Sequence, residues 1–242
     1  MINQFSRTSL VLGKDYLKKL EDKVVIIFGI GGVGGNVCDA LVRSGIKHFV
    51  LVDNDRVNLT NINRQYVANM DTIGELKVDV MERHIKSINP EAIVEKRNCF
   101  FLKENADEFD FNKYDYIVDA IDTVSAKIEL VIRANTCKKP IISALGCGNK
   151  VSPTMLEVTD ISKTSYDPLA KVMRKELRDR GINHLKVVYS KEPPIDLDKE
   201  VLKECLENEK TSKRSIPGST AFVPPVAGII IASEVIKDLL KD

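Results

Sequence analysis

The segment KVVIIFGIGGVGGNVCDALVRSG, residues 23–45, restricts the fold more than any other. Residues 23–29 form a continuous β-branched run that stops at glycine, the pattern of a buried strand. Residues 34–44 continue as a helix, and the six residues Gly29, Ile30, Gly31, Gly32, Val33 and Gly34 between them fit G-x-G-x-x-G. Glycines permit the tight strand-to-helix turn and let an anion approach the backbone, while the helix N–H groups and dipole aim at that anion. Asp53 closes the next apolar run, HFVLVD (48–53), where a carboxylate can take ribose hydroxyls. Together these imply a nucleotide at the rim of a sheet. They do not by themselves separate NAD or FAD from ATP.

Further strands are predicted at 93–97, 115–120 and 140–145, with helices at 75–88 and 124–136 between them. Alternating strands and helices specify a parallel sheet with right-handed crossovers. The expected fold is α/β and Rossmann-like, a mostly parallel sheet with helices on both faces. A short amphipathic helix at 12–22 should precede it. Residues 151–242 read as a smaller C-terminal α+β extension packed on the nucleotide-binding region of 1–150, the whole behaving as effectively one domain. Its parts are a strand at 154–160, a helix at 168–180 stopped by Gly181 and a strand at 184–190. A charged loop at 191–216 follows, expected to be mobile and to hold a short helix near 198–207, and a last helix spans 225–240.

Lys and Arg number 36 against 35 Asp and Glu, so no global field draws the chain to nucleic acid or membrane. The five cysteines (Cys38, Cys99, Cys137, Cys147 and Cys205) are scattered and form no C-x-x-C pair, which argues against a disulfide framework and a structural zinc. MINQFSRTSL lacks the features of a signal peptide, and VPPVAGIIIASEV is too short and polar to span a bilayer. The expected location is the cytoplasm.

The stretch NLTNINRQ (58–65) is what a redox domain would not need. Asn61 and Arg64 lie in a loop just past Asp53, Lys77 opens the next helix, and Asp122 sits at the tip of the fourth strand in VDAIDT. All four fall at the carboxyl edge of the sheet, where open α/β folds bind ligands. Two cations beside a nucleotide suit a triphosphate. A single carboxylate suits magnesium, which prefers one or two carboxylates plus water and phosphate oxygens.

GIGGVG, LVDNDRVNLTNINRQ, GELKVD and VDAIDT, in this order, resemble the ThiF/MoeB/HesA superfamily, relatives of ubiquitin-activating enzymes that use ATP to adenylate a carboxylate. The segment SKTSYDPLAKVMRKELRDRGINHLKVVYS (162–190) resembles the branch of tRNA threonylcarbamoyladenosine dehydratases. The resemblance implies that Gly29, Gly31, Gly32 and Gly34 bind phosphates and Asp53 the ribose, with Asp55 and Thr123 in the same nucleotide site. It implies that Asn61, Arg64 and Lys77 face the triphosphate and that Asp122 takes a magnesium ion bound with ATP. Arg7 lies where relatives send an arginine into a neighbouring subunit's site, which implies a homodimer and makes Arg7, Arg64, Lys77 and Asp122 the catalytic set. The implied reaction joins the threonylcarbamoyl carboxylate of a tRNA adenosine to AMP, then closes a ring through an internal nitrogen with net loss of water.

Two rivals stay open at this stage. One adenylates the C-terminus of a ubiquitin-like sulfur carrier, and the other is a non-catalytic nucleotide-binding module. A sulfur-transfer protein is the further partner the superfamily would supply. Cys147, in the glycine-flanked ALGCGNK loop, is the best-placed thiol for a thioester, but ring closure needs none, and the segment before the last helix reads SIPGST with no cysteine. For tRNA, the basic run from Lys163 to Lys191 centres on Lys171, Arg174, Lys175 and Arg178 of the helix at 168–180, a face suited to phosphates.

Overall fold

The computed structural model describes residues 2–208 and 216–241. Seven strands form one sheet in the order β3-β2-β1-β4-β5-β7-β6, where β1 is Val24–Phe28, β2 His48–Val52, β3 Ile93–Arg97, β4 Tyr116–Asp119, β5 Ile141–Ala144, β6 Leu156–Asp160 and β7 Lys186–Ser190. Every pairing is parallel except β6 with β7, which is antiparallel. The order reverses between β1 and β4, so the crevice above those two strands is the topological switch point where such sheets bind ligands.

The alternation of side chains along the strands divides the core. Val25 and Ile27 of β1 face α3 (Gly34–Arg43), α4 (Lys77–Ile88) and the long α8 (Val223–Lys241). Ile26 and Phe28 face α5 (Val124–Thr136) together with Phe101, Phe109 and Phe111. Beyond α5, α6 (Pro168–Arg178) covers β7 through Met173, Leu177, Val187 and Tyr189. The last region is therefore woven into the sheet, since β7 pairs with β5 and leaves only β6 beyond it. Tyr116 Oη donates to Asp238 Oδ2 at 2.7 Å and Lys186 Nζ to the same oxygen at 2.8 Å, which pins α8 across β4 and β7.

One expected element is different. The helix predicted over 12–22 is two short helices, α1 (Ser6–Leu12) and α2 (Tyr16–Leu20). Gly13 breaks it, at φ +92°, in the region that glycine enters without steric cost. The short helix expected near 198–207 is α7, Lys199–Asn208, while 209–215 of the predicted mobile loop lie outside the described residues. Among the described residues no helix is long and apolar enough to cross a membrane.

Candidate active site

The turn from β1 into α3 is shaped by contact. Gly29 has φ +89°, and a Cβ there would lie 2.6 Å from the Ala120 carbonyl oxygen. A Cβ on Gly34 would lie 1.8 Å from the Gly29 oxygen. These two glycines let the turn and helix nest against the end of β4. Gly31 is open, with only Gln65 Nε2 near its Cβ position at 3.9 Å, so its backbone is left accessible to a ligand.

Asp53 is half-buried at the end of β2 and grips that turn. Its Oδ2 accepts from the Ile30 N–H at 2.6 Å and its Oδ1 from the Asp55 N–H at 2.8 Å. Burial pushes its carboxyl above the usual range, opposed by the nearby Lys77 ammonium and the two backbone bonds. Lys77, the first residue of α4, is only 4% exposed. Its Nζ donates to Asp55 Oδ2 at 2.7 Å, and its N–H donates to the Asp55 carbonyl at 3.0 Å. Asp55 is itself exposed, so the pair holds a buried cation at the lip of the crevice.

NLTNINRQ folds as a capped turn. Asn58 and Asn61 form a capping box around a 3-10 turn at Leu59–Asn61, in which Asn61 Oδ1 accepts from the Asn58 N–H at 3.1 Å. Arg64 Nη1 donates to the Thr60 carbonyl at 3.0 Å and Asn63 Oδ1 at 2.8 Å. Its Cγ lies 3.4 Å from the Cβ position of Gly32, so the arginine stem flanks the glycine turn. Asn63 Nδ2 donates to the Ser219 carbonyl at 2.9 Å, tying this loop to the segment before α8. Asn61 thus builds the loop that presents Arg64.

Asp122 is exposed three residues past β4, and its Oδ1 accepts from the Thr123 hydroxyl at 3.3 Å. Thr123 is the N-cap of α5 but makes no side-chain capping bond. Among the described residues no group of three or more His, Cys, Asp or Glu could hold a metal. One exposed carboxylate fits magnesium carried in by phosphates and does not fit a cage built by protein alone. The glycine turn, Asp53, Lys77, Arg64 and Asp122 line the edge over β1, β2 and β4, which brings together open backbone, a fixed carboxylate, two cations and an exposed acid.

The ThiF family profile matches residues 5–242. A tRNA threonylcarbamoyladenosine dehydratase of Bacillus subtilis is 42% identical over 245 aligned residues, covering 100% of this chain and 96% of that relative. The chain belongs to the ThiF family, in its tRNA threonylcarbamoyladenosine dehydratase branch. The enzyme of that name from Haemophilus influenzae is 35% identical, over 94% of this chain and 89% of its own. The E. coli dehydratase TcdA, solved in complex with ATP, superposes with a TM-score of 0.86 at 30% identity, over 98% of this chain and 94% of that one.

In this ThiF-family chain the remaining candidates fall in three places. Cys147 follows β5 and its thiol donates to the Leu145 carbonyl at 3.4 Å. It is half-buried by area, yet the thiol is packed among protein atoms, and burial pushes it up to about 12, a poor setting for a nucleophile. On α6, Lys171, Lys175 and Arg178 are exposed and line a groove of about 880 Å³ with Ile161, Val172 and Ile182. Arg174 lines the same groove but turns back, its Nη1 donating to the Thr164 carbonyl at 2.8 Å and also to the Thr164 hydroxyl. It braces the link from β6 to α6. Arg7 is exposed on α1, which packs on α2.

Three features escaped sequence reasoning. Asn149 has φ +58° and serves as a hub: its N–H donates to the Gly218 carbonyl at 2.8 Å, its Oδ1 accepts from the Gly218 N–H at 2.7 Å, and its carbonyl accepts from the Ile195 N–H at 2.8 Å. Lys150 and Asp167 are both buried, with Nζ and Oδ2 3.8 Å apart, under the Cys147 loop. Asp119 and Lys127 form a second buried pair, at 2.9 Å. Asp119 stands in plain view in VDAIDT, but nothing in local spacing marks a partner eight residues on.

Proposed function

We infer that the protein uses ATP and magnesium to dehydrate threonylcarbamoyladenosine in tRNA, through an acyl-adenylate. The observation that carries this is the pairing of a buried cation, Lys77, with a glycine cradle and an exposed lone carboxylate at one sheet edge, in a chain related over its length to dehydratases of that name. A hydride-transfer site needs neither the cation nor the acid.

The backbone of Gly31 and Gly32 binds phosphates, helped by the first N–H groups of α3. Asp53, oriented by the Ile30 and Asp55 N–H groups, receives the ribose hydroxyls through its remaining lone pairs. Lys77 and Arg64 stabilise the charge that grows as the substrate carboxylate attacks the α-phosphorus and pyrophosphate leaves. Pre-placed charge of this kind is often the largest catalytic contribution. Magnesium, when bound with ATP, neutralises phosphate charge, and Asp122 is the residue to hold it. AMP is then a better leaving group than hydroxide, and the ring-closing nitrogen is already tethered, so proximity supplies a high effective concentration. No thioester is required, which agrees with the raised Cys147 thiol. Asp55 and Thr123 border the site, the first holding Lys77 and the second bonded to Asp122.

Lys171, Lys175 and Arg178 form the tRNA-facing surface, with the apolar floor of their groove beneath the phosphate contacts. A homodimer would bring Arg7 of one subunit to the crevice of the other, and the enzyme would work in the cytoplasm, where tRNA and ATP are. The deciding experiment is ATP–pyrophosphate exchange with tRNA carrying threonylcarbamoyladenosine against exchange with a Gly-Gly-ended carrier protein. Exchange only with the modified tRNA is expected. Exchange only with the carrier would move the chain to the sulfur-carrier reaction.

A further inference from the structure

Asp119 and Lys127 have side chains with 0% exposure and meet at 2.9 Å. Three facts make the pair costly. Taking both charges out of water carries a desolvation penalty that their attraction often fails to recover, and apolar replacements of the same shape are frequently as stable or more so. Asp119 Oδ2 has no hydrogen-bond partner among the described residues. Lys127 stands in the first turn of α5, where the helix dipole disfavours a cation. Stability alone does not account for such an arrangement.

Position does. Asp119 is the last residue of β4 and Lys127 lies just inside α5, so the pair spans the turn 120–123. That turn carries Asp122. Its first half is packed, Ala120 against Gly29 and Gly34 and Ile121 against the phenylalanine cluster, but its second half has no side-chain anchor to the body of the protein among the described residues: Thr123 makes no side-chain capping bond, and the one side-chain bond of Asp122 is to its neighbour Thr123. On the upstream side the Ala120 N–H donates to the Phe28 carbonyl at 2.8 Å, fixing the entry to the turn. The exit is fixed by Lys127 reaching back to Asp119. We propose that Asp119 and Lys127 are positioning residues, a buried staple that sets the β4–α5 turn so that Asp122 stands where nucleotide-bound magnesium can reach it. The inference rests on the assignment of Asp122 to the metal given above, and it adds the residues that make that carboxylate precise.

The test replaces the pair by apolar residues of like shape, Asp119→Leu with Lys127→Met, and separately makes the minimal change Asp119→Asn. Hydrogen exchange of the nucleotide-free protein reads the turn directly. In the double variant the two bonded amides that flank the turn, Ala120 to the Phe28 carbonyl and residue 127 to the Thr123 carbonyl, should exchange about tenfold faster while those of β1 and β2 keep their protection. Pyrophosphate exchange should fall by at least about tenfold in kcat, since small misplacements near reacting groups are costly. ATP affinity measured by calorimetry without magnesium should be unchanged, and the gain from adding magnesium should shrink. Asp119→Asn should show the same changes, smaller. Wild-type exchange at 120 and 127 with wild-type turnover would overturn the proposal. So would global unfolding of both variants, which would assign the pair to overall stability. Asp122→Ala run alongside keeps the two claims apart: if it retains full turnover, the metal assignment falls, while turn protection still decides whether the pair is a staple.

Discussion

The crevice over β1 and β4 and the face of α6 both carry cations that the proposed function sets against phosphates, and they are built in opposite ways. In the crevice, Lys77 is buried and tied to Asp55, Asp53 is fastened to the glycine turn, and Gly29 and Gly34 leave no room for a Cβ. On α6, Lys171, Lys175 and Arg178 are exposed and long. The one arginine of that group that is held in place, Arg174, is held by a main-chain carbonyl and a hydroxyl for structure. Stabilising charge at a reacting phosphorus demands fixed atoms, because the benefit is lost with small displacement. Attracting a polyanion demands only charge within a screening length. Single substitutions should therefore be severe in the crevice and mild on α6.

Several measurements would break or sharpen that contrast. The largest effect belongs to Lys77→Ala and Asp122→Ala, each expected to lower pyrophosphate exchange by about 100–1,000-fold with the folded state retained by circular dichroism. Losses under tenfold would erase the contrast. Next, reversing Lys171, Lys175 and Arg178 to Glu together should weaken tRNA binding by more than about tenfold and flatten its dependence on log salt by roughly two to three in slope, with ATP affinity unchanged. Equal tRNA affinity across a salt series would remove α6 from the RNA surface. Arg174 is best left out of that set, since its change would also loosen the link to Thr164.

A smaller effect is expected with pH. Burial raises the Asp53 carboxyl above its ordinary value of about 4, so acidification neutralises it earlier than a solvated aspartate. In the proposed function its ionised form is the acceptor for ribose hydroxyls. ATP affinity should thus be full at neutral pH and begin to fall while most carboxylates are still charged. Calorimetry of the wild type against Asp53→Asn, whose affinity should be weaker and flat over the same range, checks this. The smallest effect is Cys147→Ser, where AMP-forming turnover should stay within about twofold, because a thiol raised this far is a poor nucleophile. A collapse of turnover in that variant would restore the thioester.

Much of this was legible before the fold was known. The residues of the crevice stand in four short motifs, each on one strand end or helix start, and strand–helix alternation fixes which edge they share. Other roles were not legible. Asn61 reads as a ligand-facing residue, and its second role was hidden: its side-chain amide oxygen closes a capping box, which depends on where the loop turns. Arg174 reads like its neighbours Lys171 and Arg178, and only the return of 161–164 against α6 draws it inward.

The sequence by itself determined the β1–turn–α3 unit, the acid at the end of β2 and the parallel direction of the first five strands, because these follow from side-chain period, strand–helix alternation and glycine sterics within short spans. Tertiary structure alone decided that β7 would enter the sheet beside β5, that Lys77 would meet Asp55, and that Lys127 would reach Asp119. Those contacts join segments whose separate patterns carry no trace of each other. They form only when burial leaves a charge or a strand edge with one partner in reach.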